Sequence, residues 1–432
     1  MKRSETKTRI NAVLLIFAIF VAAAAMTGCG KAPKLTLLES LQTVPGATVK
    51  QLKAKAPFKE RFQIMLSQPL DHDKPDGPQF QQRILVSHLD PAAPVVLVTE
   101  GYAIRHNYIQ ELSELLGANQ IRVEHRYFGK STPKDMDWQY LNLKQATADY
   151  HRVRNLLGKL YNGKWMSTGW SKGGQTALTY RSYYPDDVAV TVAYDAPLNL
   201  EREEPRIDAF FETVGDDFCR RKLIKFQRAV LRRKKELLPM FIEYAKKKRL
   251  NFSIGAEKAF EYVVLEYPFS FWQYEKIDCK TIPRNNAEAW RMMEHLKKVV
   301  SFGSYADASM NSAAMYQFAT EFGYYGYVTK NVDRSLSSTD YSNFVFAPQD
   351  ADLTYNPKIM RDLDQFLRSK GSRILTIYGE YDPWSAPTVQ LSGKPDTLNM
   401  VLKKGNHFTF IKSFEEADQK RMVSTLKGWL DQ

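Results

Sequence analysis

The 432-residue chain is 44% hydrophobic and 25% charged, with a formal net charge of +13 at neutral pH. That composition excludes a disordered chain and leaves room for one large core plus an inserted or second domain. The basic excess does not imply nucleic acid as a partner, because no nucleic-acid-binding motif accompanies it.

The first element is a leader. Lys2, Arg3, Lys7 and Arg9 precede the apolar run Ala12 to Met26, which "TGCG" follows. A basic head, a short apolar stretch and small residues describe a secretory signal over residues 1–28, and about 15 apolar residues are too few for a membrane-spanning helix. Thr27, Gly28 and Cys29 resemble the bacterial lipobox, with Met26 where Leu is usual. Processing there makes Cys29 the lipid-modified first residue of an exported lipoprotein anchored in the bacterial cell envelope. "GKAPK" after it lacks an acidic cluster, which favours a periplasm-facing position. Loss of four basic residues and Glu5 takes the formal charge from +13 to +10, an excess suited to anionic membrane surface or cell-wall polymers. Two cysteines remain, Cys219 and Cys279; an exported chain permits them one disulfide, and spacing alone leaves the pairing open.

Residues 29–57 read as a tether. "FKERFQIMLSQPLDH" and "FQQRILVSHL" alternate as two strands around a turn-rich "DHDKPDGP". Strand "APVVLVTEGY", helix "YIQELSELLGANQ", strand "IRVEHRYFGKS", helix "ATADYHRVRNLLGKLY", strand "KWMSTGW", a helix from near Gly173 and strand "VAVTVAYDAP" follow. This alternation predicts a mostly parallel sheet with crossover helices. From 198 to 340 the texture becomes helical, with a strongly basic stretch at "CRRKLIKFQRAVLRRKKELLPMFIEYAKKKR" and further helices at "AEAWRMMEHLKKVVSF" and "MNSAAMYQFATEF". Strands "RILTIYGEYDPWS" and "NMVLKKGNHFTFI" and helix "FEEADQKRMVSTLKGWL" close the chain. The expected organisation is an α/β core over 58–197 and 341–432, split by a helical cap over 198–340.

Gly169-Trp170-Ser171-Lys172-Gly173 lies between a strand and a helix, the setting of a nucleophile elbow. A neutral serine needs a base, and the base needs an orienting carboxylate. Both follow in the α/β-hydrolase order, each after a strand: Asp382 in "GEYDPWS" and His407 in "GNHFTF". Of seven histidines, His407 alone lies beyond His295. The oxyanion donors expected are the backbone N–H of Lys172 and that of Gly101 or Tyr102. The Lys172 side chain is expected to point away, since adjacent residues at a helix start do not face each other. Glu124, His125 and Arg126 read as a buried ionic cluster supporting the sheet edge.

The segments "FQIMLSQPLDH", "TEGY", "VEHRYFGKS", "GWSKGG", "QFATEFGYY", "GEYDPWS" and "GNHF" resemble the prolyl-specific serine exopeptidases. These are the prolyl carboxypeptidase and dipeptidyl peptidase relatives and, in style, the secreted bacterial tripeptidyl aminopeptidases. The likeness runs from Phe58 to the C-terminus. It implies an α/β-hydrolase fold with a helical cap, and release of short peptides from free N-termini, often after proline. It also implies acidic groups that hold the substrate's amine: Glu100, Glu321 and, with less support, Glu201, Glu203 or Glu204. Trp170, Trp384 and Tyr324 or Tyr325 are placed to line an aromatic proline pocket. The "TEGY" departs from the usual Asn after Gly, which leaves open the length and end of the substrate.

No His-Glu-x-x-His, paired-cysteine zinc spacing, Walker or dinucleotide fingerprint occurs, so neither metal nor cofactor is expected. The competing expectations are a carboxylesterase or lipase of the same fold and a non-catalytic envelope-binding lipoprotein. Oligomeric state is not encoded in any feature of the sequence.

Overall fold

A computed structural model of the chain describes residues 35–274, 278–309 and 311–432. The leader and Cys29 lie outside them. The chain divides into two units, residues 1–40 and 41–432. Helix α1 (Leu37–Gln42) begins with a capping box: Glu39 N donates to Thr36 Oγ1 (3.2 Å) and Thr36 N to Glu39 Oε2 (2.7 Å).

The second unit is built on one sheet. Its strands are β1 (Ala47–Leu52), β2 (Glu60–Pro69), β3 (Gln79–His88), β4 (Val95–Thr99), β5 (Asn119–Val123), β6 (Trp165–Trp170), β7 (Val190–Tyr194), β8 (Ile374–Gly379) and β9 (Thr397–Leu402). They lie in the order β1-β2-β3-β5-β4-β6-β7-β8-β9. The pairs from β1 to β5 on one side are antiparallel, and β5-β4-β6-β7-β8-β9 are parallel. Strands β4, β7 and β8 are buried along their whole length, as parallel strands covered on both faces must be. Helices α2 (Glu111–Leu116), α3 (Leu143–Leu157) and α4 (Lys172–Tyr183) connect the first parallel strands, and α4 lies against β4, β6 and β7. This is the α/β-hydrolase fold.

After β7 the chain leaves the sheet and forms α5 (Pro205–Thr213), α6 (Asp217–Arg232), α7 (Lys234–Lys248), α8 (Ala256–Tyr274), α9 (Ala289–Val299) and α10 (Ser312–Gln317), the last running into a π-helical turn, Phe318–Phe322. These helices have their own apolar core, in which Leu223, Phe226, Phe241, Phe260, Val263 and Leu296 are buried. Cys219 and Cys279 form a disulfide across it, with Cα atoms 5.4 Å apart. Helix α11 (Lys358–Ser369) leads back into β8, and α12 (Glu416–Asp431) closes the chain against β7 and α2.

Three local differences from the sequence expectation have physical causes. Residues 47–52 belong to edge strand β1 rather than to a featureless tether; the polar Lys50 and Gln51 suit a solvated sheet edge. The basic stretch 219–249 is two helices, broken at Arg233, because Leu223 and Phe226 on one and Leu237 and Phe241 on the other all bury in the cap core. Helix α8 had no sequence signal: 14 of its 19 residues are buried, so it lacks the polar face that gives an amphipathic helix its period.

Candidate active site

Ser171 caps α4 directly after β6. Its backbone sits at φ 56°, ψ −127°, outside the regions open to ordinary L-residues, which costs about 1–3 kcal/mol. The turn is held by Ser171 N donating to Tyr194 O (2.8 Å). A Cβ on Gly169 would lie 2.1 Å from Gly173 O, so the elbow closes only with glycine there. The first N–H groups of α4, beginning with that of Lys172, have no partners within the helix.

Asp382 and His407 come from the loops after β8 and β9. His407 Nδ1 and Asp382 Oδ2 are 2.6 Å apart and both residues are buried. Asp382 Oδ1 accepts from Trp384 N (3.2 Å), which fixes the carboxylate on the turn at Pro383–Ser385. Burial raises the Asp382 pKa, and the neighbouring imidazole opposes that rise. Trp170 does not line the cavity; its indole N–H donates to His407 O (2.7 Å) and its ring rests 4.8 Å from the imidazole. The imidazole is therefore held against the residue that precedes Ser171. Among the described residues, neither the Ser171 hydroxyl nor His407 Nε2 has a hydrogen-bond partner, which leaves the nucleophile and the second ring nitrogen uncommitted.

Sequence reasoning missed Asp195, which ends β7 in "YDAP". It is buried at φ 44°, and its Oδ1 accepts from Gly379 N (3.0 Å). One oxygen each of Asp195 and Asp382 and a ring nitrogen of His407 lie within 4.8 Å of one another. Burial first, then the charge of Asp382, pushes the Asp195 pKa far up. Two carboxylates this close and this dry do not both ionise; Asp382, with the imidazole as partner, keeps the charge. Among the described residues this trio is the one His/Asp/Glu group compact enough for a metal, and its imidazole Nδ1 is already engaged by Asp382.

Ser171 opens onto a cavity of about 320 Å³. Tyr102 and Lys172 form the wall beside it; Glu266 and Phe269 of α8 and Tyr325 form the cap side, which Trp384 of the loop after β8 completes. Phe269 stacks on Tyr325 (3.9 Å between centroids), and Trp384 meets both edge-on (5.1 and 5.6 Å). Glu266, also unforeseen, is the one carboxylate among the residues lining this cavity. It accepts from Tyr325 (2.6 Å), Ser270 (2.9 Å) and Tyr305 (3.1 Å), and burial raises its pKa against these donors. A lone Glu inside the apolar run "YVVLEYPFSFW" was the available signal.

The acids expected to hold an amine lie elsewhere. Glu100 is ion-paired with Arg122 (2.8 Å to Nε). Glu321 points away from the cavity and accepts from Leu143 N at the start of α3 (2.8 Å), its pKa pushed up to about 8 by burial. Glu201 pairs with Arg361 (3.1 Å), Glu203 accepts from Ser342 (3.2 Å), and Glu204 caps α5 and binds Arg206 (2.6 Å). The Lys172 side chain is buried, and its Nζ donates to Gly101 O (2.7 Å). Glu124 and Arg126 do form buried ionic contacts, the first with Arg83 and the second with Asp149 (2.8 Å). Among the described residues no carboxylate pairs with His125, and burial drives its pKa well down.

Residues 32–430 match the PS-10 peptidase S37 family. The chain belongs to peptidase family S37. It is 32% identical over 440 residues to the prolyl tri/tetrapeptidyl aminopeptidase of Streptomyces mobaraensis, covering 99% of this chain and 92% of that protein. It is 28% identical over 122 residues to the lysosomal Pro-X carboxypeptidase of Bos taurus, covering 26% of this chain and 24% of that protein. A solved proline iminopeptidase from Mycobacterium smegmatis superposes with TM-score 0.42 at 12% identity, over 85% of this chain and 98% of that one. As an S37 member the chain is a serine peptidase, not a binding protein that merely keeps a hydrolase fold.

Proposed function

We propose that this S37 peptidase is an exopeptidase that releases tripeptides or similarly short peptides, preferentially after proline, from free N-termini. The observation that carries the reading is one cavity with the strained Ser171 and the aromatic Phe269–Tyr325–Trp384 wall on its surface and a single carboxylate, Glu266, beside them. Ser171 Oγ attacks the scissile carbonyl while His407 Nε2 takes its proton; Asp382 holds the imidazole through Nδ1 and stabilises its charge. The tetrahedral oxyanion is met by the N–H groups of Lys172 and of Gly101 or Tyr102. Collapse breaks the C–N bond, His407 protonates the leaving amine, and water then cleaves the acyl ester by the same relay run in reverse.

Specificity follows from the wall. A buried α-ammonium needs a carboxylate, and Glu266 supplies it once ionised. A rigid apolar proline ring suits the stacked aromatic surface. The activity named for the Streptomyces relative fits this arrangement. An esterase acting on fatty acyl chains would be poorly served by a wall bearing Glu266 and three hydroxyl donors.

The same reading takes the enzyme as exported and anchored through Cys29. The Cys219–Cys279 disulfide supports an oxidising compartment, and among the described residues no helix is long and apolar enough to cross a membrane. Fluorophosphonate labelling and turnover of an unblocked tripeptidyl-proline anilide test the catalytic part. Ser171→Ala should lose both. A retained rate, or equal rates on acetylated and free substrates, would overturn it.

A further inference from the structure

The Lys172 amine is a buried titratable group at the active site that the mechanism above leaves without a task. The residue is 1% exposed. Its Nζ is surrounded by the rings of Phe128, Phe322 and Tyr102, at 5.0, 5.2 and 5.3 Å from their centroids. No carboxylate bonds to it; Glu321, the acid that acts on it electrostatically, is occupied by the Leu143 N–H. Among the described residues its one hydrogen bond, 2.7 Å, goes to Gly101 O, which either a charged or a neutral amine can make.

Gly101 is itself constrained. A Cβ there would lie 2.6 Å from Gly173 N, so the Gly101 backbone lies flush against the elbow peptide. The Gly101–Tyr102 bond is trans, so its carbonyl and N–H point in opposite directions. A donor that fixes the carbonyl therefore fixes where the Tyr102 N–H points. Tyr102 O is tied as well, accepting from His125 N (3.3 Å). Among the described residues, neither Tyr102 N nor Lys172 N has a backbone acceptor.

We propose that Lys172 is a positioning residue of the oxyanion site: its side-chain amine clamps the Gly101 carbonyl, so that the Tyr102 N–H converges with the Lys172 N–H on the developing oxyanion. One residue thus supplies a donor through its backbone and orients the second donor through its side chain. The inference rests on the reading of Ser171 as nucleophile, and it selects Tyr102 over Gly101 as the second donor.

The test compares wild type with Lys172→Met, which keeps the length and apolar stem but not the donor. A misoriented donor should lower kcat by ~10–100-fold, somewhat less than outright loss of one, with KM nearly unchanged. An unblocked peptide boronate ending in boroproline, which forms a tetrahedral adduct, should lose affinity in step with kcat. The product tripeptide, which has no oxyanion, should bind as before. Lys172→Arg, which retains a donor, should recover most of the rate. If Lys172→Met does not melt cooperatively, Lys172→Gln, whose amide ends one atom short of Gly101 O, carries the same expectations. Unchanged kcat, or parallel loss of boronate and product affinity, would overturn the clamp while labelled Ser171 leaves the catalytic reading intact. A wild type that fluorophosphonate does not label at Ser171 would sink both.

Discussion

The loops at the ends of the parallel strands and the helical wall that faces them were assembled under different constraints. Ser171, Asp382 and His407 each follow a strand, β6, β8 and β9, so the sheet fixes their mutual positions and short local patterns betray them. The wall is set by α8 and the Phe318–Tyr325 segment, whose residues meet the cavity only through packing among helices. The catalytic residues thus belong to the sheet, while the proposed specificity wall is drawn mainly from the cap, with Trp384 of the loop after β8 its one contribution from the sheet side.

Substitutions on the two sides should separate these duties. On the sheet side, Asp382→Asn should leave KM close to wild type and reduce kcat by ~10⁴-fold, measured on an unblocked tripeptidyl-proline anilide; a small loss would move the orienting role to Asp195. On the cap side, Glu266→Gln should cut kcat/KM for free-amine peptides by roughly 10²–10³-fold, the usual cost of stranding a buried charge. It should leave the already poor acetylated substrates unchanged. Because burial raises the Glu266 pKa above its ordinary value, acidification protonates it before an exposed Glu, and KM should climb as pH falls through that raised value. The Gln variant should lack that limb. Replacing both Cys219 and Cys279 by Ser frees a loop spanning 60 residues and should cost about 2–4 kcal/mol in chemical denaturation, while fluorophosphonate labelling of Ser171 in the folded protein persists. The smallest effect belongs to Asp195→Asn: with Asp195 held protonated, an amide that still accepts from Gly379 N should alter kcat by less than about threefold.

Legibility in the sequence follows the same division. Gly169 and Gly173 around Ser171 announce an elbow because no side chain fits there, and strands ending in "GEYDP" and "GNHF" announce the loops that complete the relay. The α/β alternation over 95–197 is equally plain, since buried parallel strands read as short apolar runs between amphipathic helices. Helix α8 was invisible for the opposite reason: burial on nearly all sides erases periodicity, so Glu266 had no frame in which to be noticed. Acids that did stand out, Glu100 and Glu321, were judged by nearness to motifs. Arg122 and the start of α3 had prior use for them, which only the folded chain reveals. Asp195 passed as a strand end because its significance depends on Asp382, far away in the chain.

Two hydrogen bonds tie the end of the cap helix to the loop that carries His407. The last turn of α8 accepts the His407 amide through Gln273 O (2.9 Å), and Tyr274 O accepts from Asn406 Nδ2 (3.1 Å). Both acceptors are backbone carbonyls at the C-terminal end of α8, so the position of that helix end and of the His407 loop are set together. The proton acceptor's loop is thus braced by the helix that carries Glu266, so that a displacement at either is felt at the other.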